Sequence, residues 1–316
     1  MTPLVDRHEP QTAPAVLMIR PAHFGANAET AGSNYFQRPA TARDGDAADH
    51  AQREFDAFAA QLAVAGLRVT VVAGSRDEPL PDEVFPNNWL SLHADGTAVL
   101  YPLLAANRRR ERRPVLLDAL RARGYRITRI VDLTSLEARS QYLEGTGSLV
   151  LDRAHKVAYA CLSARTHPDA LAAFARELGY DVVPFSATDR GGHPIYHTNV
   201  LMSVGQRFAV VCSRAIADAA QRESVLTRLT ASGHEIVDID FAQLHAFAGN
   251  LLELRGRRHP VIAMSKTAFA SLAAAQRASL EKHGELLAAD LGYIERLGGG
   301  SARCMLAEIA CPANRV

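Results

Sequence analysis

The stretch "LGYDVVPFSA", residues 178–187, decides how this chain is read. Ahead of it, Leu171, Phe174 and Leu178 recur at helical spacing, and a β-rich run follows Gly179. A glycine there fits the position just past a helix end, where the backbone turns left-handed. The same order occurs in "AGLRVTVVAG" (65–74), "RGYRITRIVD" (123–132), "SGHEIVDIDF" (232–241) and "HGELLAADLG" (283–292). In the first of these, Phe55, Phe58, Leu62 and Ala65 form the apolar helical stripe. Gly66, Gly124, Gly179, Gly233 and Gly284 fall 58, 55, 54 and 51 residues apart. One supersecondary unit is therefore used five times.

Each unit carries further strand-like runs: "AVLMIRP", "TAVLYPL", "SLVLDRAHKVAYACLS", "NVLMSVGQRFAVVCS" and "NLLELRGRRHPVIAMS". The last three read as hairpins. Two or three strands plus one helix per unit, five times over, would close into a ring. The units are too few and too long for a linear solenoid. The expectation is one α/β domain over residues 1–316, a five-fold pseudosymmetric α/β propeller of ββαβ units. Residues 1–15, containing "DRHEPQTAP", read as a flexible arm.

Composition removes several function classes. A net charge of +1 leaves no footprint for nucleic acid, and no apolar run reaches membrane-spanning length. The basic cluster "NRRRERRP" (107–114) reads as a solvated turn and helix start. Four cysteines without a CxxC pair suggest neither a disulfide framework nor zinc. The N-terminus lacks a signal-peptide pattern, so the expected location is cytoplasmic, with reduced thiols.

The polar residues just ahead of the strand runs keep the same period. Asn34, Asn88, Glu144, His197, Asn250 and Cys304 are spaced by 54, 56, 53, 53 and 54. In a ring, equivalent positions converge at the centre. A carboxylate, an imidazole and a thiol in register are what nucleophilic catalysis needs. Taken singly, each is an ordinary turn or strand-edge residue, and Asn88 and Asn250 fit as turn-formers. Cys161, Cys212 and Cys311 sit in apolar contexts and read as packing residues, and Trp89 as a core filler.

The phrases "MIRPAHFGANAETAGSNYFQ", "VFPNNWLSLH", "LEGTGSLVLD", "YHTNVLMSVG", "AFAGNLLELRG" and "GGGSARCMLAEI" resemble the guanidine-modifying enzymes of the pentein superfamily. That superfamily includes arginine deiminases, dimethylarginine dimethylaminohydrolases and amidinotransferases. Within it, the chain is most similar to the bacterial citrulline-utilization hydrolases. The resemblance implies Cys304 as nucleophile, His197 as general acid and base, and Glu144 as the accompanying carboxylate. It implies a covalent S-linked intermediate and no metal or organic cofactor. The partner implied is a small amino acid, with no nucleic acid or membrane, and a homodimer would be ordinary.

One departure bears on substrate. Deiminases of this superfamily place aspartates where this chain has Asn88 and Asn199. Two carboxylates grip a guanidinium, whereas an amide serves a neutral ureido group. The expectation is hydrolysis of citrulline to ornithine, CO2 and ammonia, with arginine also open. Some members resembling arginine dihydrolases carry the same asparagine and take arginine to ornithine in two rounds. Asn34 and Arg303 join Asn88 and Asn199 as substrate-binding candidates, and Arg303 could also favour the Cys304 thiolate. Arg20, Arg153 and Arg255 are further candidates to hold a substrate carboxylate. An amidinotransferase, a dimethylarginine dimethylaminohydrolase-like enzyme and a non-catalytic binding protein of the same fold are the alternatives.

Overall fold

The computed structural model describes residues 9–39, 41 and 46–313. Its fifteen strands form five three-stranded sheets. The first begins with β1 (Ala15–Arg20) and β2 (Arg68–Ala73), which pair in parallel across the helix Ala47–Val64. The next four repeat one pattern, a hairpin, a helical passage, then a strand parallel to the second. They are β3 (Leu90–Leu92), β4 (Thr97–Leu100) and β5 (Arg129–Asp132); then β6 (Val150–Asp152), β7 (Val157–Cys161) and β8 (Asp181–Phe185). After these come β9 (Met202–Val204), β10 (Phe208–Val211) and β11 (Glu235–Asp238), and β12 (Leu252–Arg255), β13 (Pro260–Ser265) and β14 (Glu285–Ala289). The last strand, β15 (Ala307–Glu308), runs antiparallel to β1 and supplies the first sheet's missing hairpin partner. The unit is thus ββαβ, with the first copy split between the chain's two ends.

Hydrophobicity sorts the strands. β3, β6, β7, β9 and β10 are buried throughout, whereas β2, β5, β8 and β11 alternate with exposed positions and lie at the rim. Each rim strand is preceded by an amphipathic helix. Ala47–Val64 buries Phe55, Phe58 and Leu62 completely, worth about 1.5–3 kcal/mol each. Of the five periodic glycines, Gly66, Gly124, Gly179 and Gly233 are left-handed, with φ between 68° and 88°. Gly284 is not. Its place is set by crowding, because a Cβ there would lie 2.7 Å from the Pro260 carbonyl oxygen.

Five short segments precede the first strands: Pro86–Asn88, Gly145–Ser148, Thr198–Leu201, the loop ending at Asn250, and Ala302–Met305. Pro86–Asn88 touches Gly145–Ser148, which touches Thr198–Leu201. Asn250 donates to the Asn199 carbonyl (2.9 Å) and accepts from the Arg303 amide (3.0 Å), and Ala302–Met305 returns to Pro86–Asn88. Asn34 falls outside this series: it lies in the loop after β1, not ahead of a hairpin.

The arm expected over residues 1–15 is packed from Glu9 onward; residues 1–8 lie outside the described residues. Glu9 is buried and bonds Arg153 (2.7 Å), Lys156 (2.8 Å) and Tyr180 (2.9 Å). Three long-range partners outweigh the loop-like composition that suggested mobility. Among the described residues no helix is long and apolar enough to cross a membrane. Trp89 fills the core. The thiols of Cys161, Cys212 and Cys311 are buried and unpaired, and burial pushes them up to about 12, 11 and 11.

Candidate active site

Cys304 sits in the turn Ala302–Met305, held by a bond from its amide to the Ser301 carbonyl (2.9 Å). Two side-chain amides donate to its sulfur, Asn250 Nδ2 at 3.3 Å and Asn199 Nδ2 at 3.5 Å. The triple glycine ahead of it closes one wall. Gly299 is left-handed (φ 64°), and a Cβ there would lie 2.5 Å from the Asn34 amide. Asn34 in turn donates to the Gly298 carbonyl (3.2 Å), so the loop after β1 is laid directly on the glycines.

Glu144 and His197 come from consecutive units and meet at 2.8 Å, Oε2 to Nε2. Glu144 is fully buried; it also accepts from the Leu104 amide (3.0 Å) and Arg165 Nη1 (3.3 Å). Burial alone would raise its pKa, but Arg165, His197 and Arg108 together hold it well below the usual carboxylate range. For His197 burial dominates the other way. Desolvation, opposed by Glu144, brings it down to about 4, so the imidazole is neutral at physiological pH. A carboxylate only accepts, so Nε2 carries the proton and Nδ1 is left with its lone pair. Nδ1 faces Gly147: a Cβ there would lie 2.7 Å from Nδ1 and 2.6 Å from Asn88 Nδ2. Only glycine lets these two groups flank that point.

A small, narrow cavity opens beside Cys304. His197, Asn88, Asn34 and Tyr196 line it, together with three charged residues: Asp82, Arg108 and Arg165. Arg108 is buried, bonded twice to Glu111 (2.9 and 3.0 Å) and through Nη1 to Asn88 Oδ1 (2.8 Å). Arg165 stacks 4.8 Å over the Tyr196 ring and bonds Ser33 Oγ (2.8 Å) and the Thr30 carbonyl (3.3 Å). Asp82 Oδ2 accepts from Asn27 Nδ2 (2.7 Å) and Thr30 Oγ1 (3.5 Å); Oδ1 is buried without a partner. A buried carboxylate oxygen left unpaired is costly, and a cationic ligand group would satisfy it.

Of the residues singled out in the sequence, Cys304, His197, Glu144, Asn88 and Asn34 come together. Asn199 and Arg303 do not line this cavity. Asn199 lies against the sulfur, and both border a second cavity with Glu253 and Glu308. Arg303 is turned away, donating to the Leu306 carbonyl (2.9 Å) and Glu308 (3.0 Å). The remaining carboxylate candidates are elsewhere: Arg20 pairs with Asp56, Arg153 with Glu9, and Arg255 is exposed. Arg108 overturns the solvated reading of "NRRRERRP", since it is buried in the site. Asp82 and Arg165 had no periodic signal; each lies in a turn between the regular elements. Asn250 was marked by the period but read as a turn-former.

The profile of the family described as N,N dimethylarginine dimethylhydrolase, eukaryotic, matches residues 20–311. No curated protein sequence matches significantly. Among solved structures, the chain is similar to ArgZ, an arginine dihydrolase from the ornithine-ammonia cycle in cyanobacteria (TM-score 0.71, 18% identity). That likeness covers 95% of this chain but only 41% of the other, so the chain spans well under half of that protein. The N-terminal domain of ArgZ bound to product gives 0.72 at 18% identity, covering 94% and 99%. A variant of DDAH from Pseudomonas aeruginosa complexed with citrulline gives 0.66 at 12% identity, covering 94% and 100%. At these identities the solved structures are likenesses of fold.

Proposed function

Because the chain belongs to the N,N dimethylarginine dimethylhydrolase family, and so to the guanidine-modifying hydrolases of the pentein superfamily, we propose that it hydrolyses the ureido C–N bond of citrulline. In this reading the five sheets close into one propeller domain, with Cys304, His197 and Glu144 at its axis. The four free thiols fit a reducing, cytoplasmic setting.

The carrying observation is Asn88. At the reacting end, beside His197 Nδ1, stands a neutral amide whose oxygen is already engaged by the buried Arg108 guanidinium at 2.8 Å. A second guanidinium there would face that positive charge with no carboxylate at Asn88 to grip it, whereas a ureido group is neutral. Asp82 and Arg165 share Thr30 as a contact, which groups an unpaired carboxylate oxygen with a guanidinium. That pair suits the ammonium and carboxylate of an α-amino acid.

The chemistry follows from the protonation states. His197 Nδ1 takes the Cys304 proton as the sulfur adds to the ureido carbon. The imidazolium so formed is supported by Glu144. It then protonates the departing nitrogen, and the C–N bond breaks, leaving an S-linked intermediate. His197 Nδ1, free again, takes a proton from water as its oxygen adds to the carbamoyl carbon. The C–S bond breaks, the proton returns to Cys304, and the carbamic acid released breaks down to CO2 and ammonia. Citrulline plus water becomes ornithine, CO2 and ammonia. A second reading, arginine taken to ornithine in two rounds, is favoured by the nearby Glu144 carboxylate and by the likeness to an arginine dihydrolase.

The test is product analysis with L-citrulline, L-arginine and dimethylarginine, wild type beside Cys304→Ala. Ornithine from citrulline, abolished in the variant, is expected. Citrulline accumulating from arginine would defeat the argument from Asn88. No turnover of any substrate would favour an amine acceptor or a binding protein.

A further inference from the structure

Among the described residues one group of three side chains with metal-ligating atoms converges: Asp152, His155 and His234, all within 4.8 Å of one another. It lies at the opposite end of β6 from the turn that carries Glu144. Asp152 ends β6 with its side chain buried, and His155 stands half-exposed in the following hairpin turn. His234 is buried just after Gly233, where the helix Ala219–Ala231 gives way to β11. The three therefore join the third sheet to the fourth.

The geometry is close to that of a metal site. Asp152 Oδ1 is 2.8 Å from His155 Nδ1, and Asp152 Oδ2 is 2.9 Å from His234 Nε2. The imidazoles meet edge to face with centroids 5.8 Å apart. His234 Nδ1 has no hydrogen-bond partner, so that ring is oriented by Nε2 alone. Bonds of about 2.0–2.2 Å to a tetrahedral ion would place such ligand atoms somewhat over 3 Å apart, within easy reach of this arrangement. Electrostatics supplies the second argument. Among the described residues this buried carboxylate pairs with imidazoles and not with lysine or arginine. Arg153, its neighbour in sequence, is committed to Glu9. A divalent cation would add a fixed positive charge beside this buried carboxylate.

We propose that Asp152, His155 and His234 form a structural site for a borderline divalent transition metal of the zinc class, clamping the third sheet to the fourth. Two imidazoles and one carboxylate suit that class and not calcium or magnesium, which prefer all-oxygen shells. The half-exposed side of His155 leaves the fourth position to water. On binding, each ring carries its proton on the nitrogen turned away from Asp152, so both ligands are neutral imidazoles. The ion takes no part in the proposed thiol chemistry.

The experiment uses untagged, metal-stripped protein dialysed against zinc alone and, separately, cobalt(II) alone. Wild type is expected to retain one equivalent of either ion and to melt higher with zinc. His155→Ala, a change at a half-exposed turn, is expected to lose both effects while keeping its fold and its activity. The cobalt spectrum should show tetrahedral ligand-field bands without thiolate charge transfer. Undiminished binding by His155→Ala, a thiolate band assigning the ion to a cysteine, or no bound ion in wild type would each overturn the proposal.

Discussion

At the scale of single residues, the proposed reading rests substrate choice on one amide and acid–base chemistry on one imidazole. Replacing Asn88 by Asp puts a carboxylate beside His197 and next to Arg108. A charge-assisted bond is worth about 1.5–3 kcal/mol, so the arginine-to-citrulline ratio of kcat/KM should rise by roughly ten- to a hundredfold. An unchanged ratio would remove Asn88 from the specificity argument. His197 makes a pH prediction. Its folded value of about 4 lies below the unfolded 6.5, so on acidification the unfolded chain takes up the proton first. The stability it contributes is complete above 6.5 and is lost as pH falls to about 4, a change of roughly 3 kcal/mol. Glu144, held low, adds a further loss below its ordinary 4.5. Urea unfolding above and below that window should show the loss, and His197→Asn should flatten it; equal slopes in the two proteins would refute it. The thiol, imidazole and Glu144 carboxylate were legible in sequence because the repeat put them in register. Asp82, Arg108 and Arg165 were not, since none of them falls on the period of the repeat. A run of arginines also looks solvated until one of them finds a buried carboxylate.

At the scale of elements, the helix–glycine–strand passage repeats five times, but its glycines answer to two different physical demands. Gly179 is left-handed, and an added Cβ there meets nothing within 4 Å. Gly179→Ala should therefore cost about 1–2 kcal/mol, and Asn, which tolerates that conformation, should recover much of it. At Gly284 the obstacle is the Pro260 carbonyl, so Asn should be no better than Ala. Denaturation midpoints of the four variants check this, and rescue by Asn at both sites would contradict it. Sequence periodicity cannot separate the two cases, because both ask for the same residue. The hairpin halves read from "SLVLDRAHKVAYACLS" appear as β6 and β7, since buried apolar runs broken by a short polar turn have few other solutions.

At the scale of the whole molecule, the two ends of the chain bind it together. β15 completes the first sheet, which explains why the seam carrying Cys304 belongs to the first unit and not to the last. Glu9 reaches Arg153, Lys156 and Tyr180 in the third unit. Those contacts span more than 140 positions, which is why "DRHEPQTAP" looked loose in sequence. Glu9→Gln leaves Arg153 with Glu308 (3.5 Å) as its remaining countercharge and should destabilise by about 1–3 kcal/mol. An unfolding free energy equal to wild type would contradict that anchoring role. The measurement that most directly tests thiol catalysis at the meeting point of the five units is mass spectrometry of enzyme quenched during citrulline turnover. The expected result is one carbamoyl-sized mass increase on the peptide holding Cys304, absent from Cys304→Ala, which should be inactive. Turnover that survives Cys304→Ala, with no adduct in wild type, would contradict it.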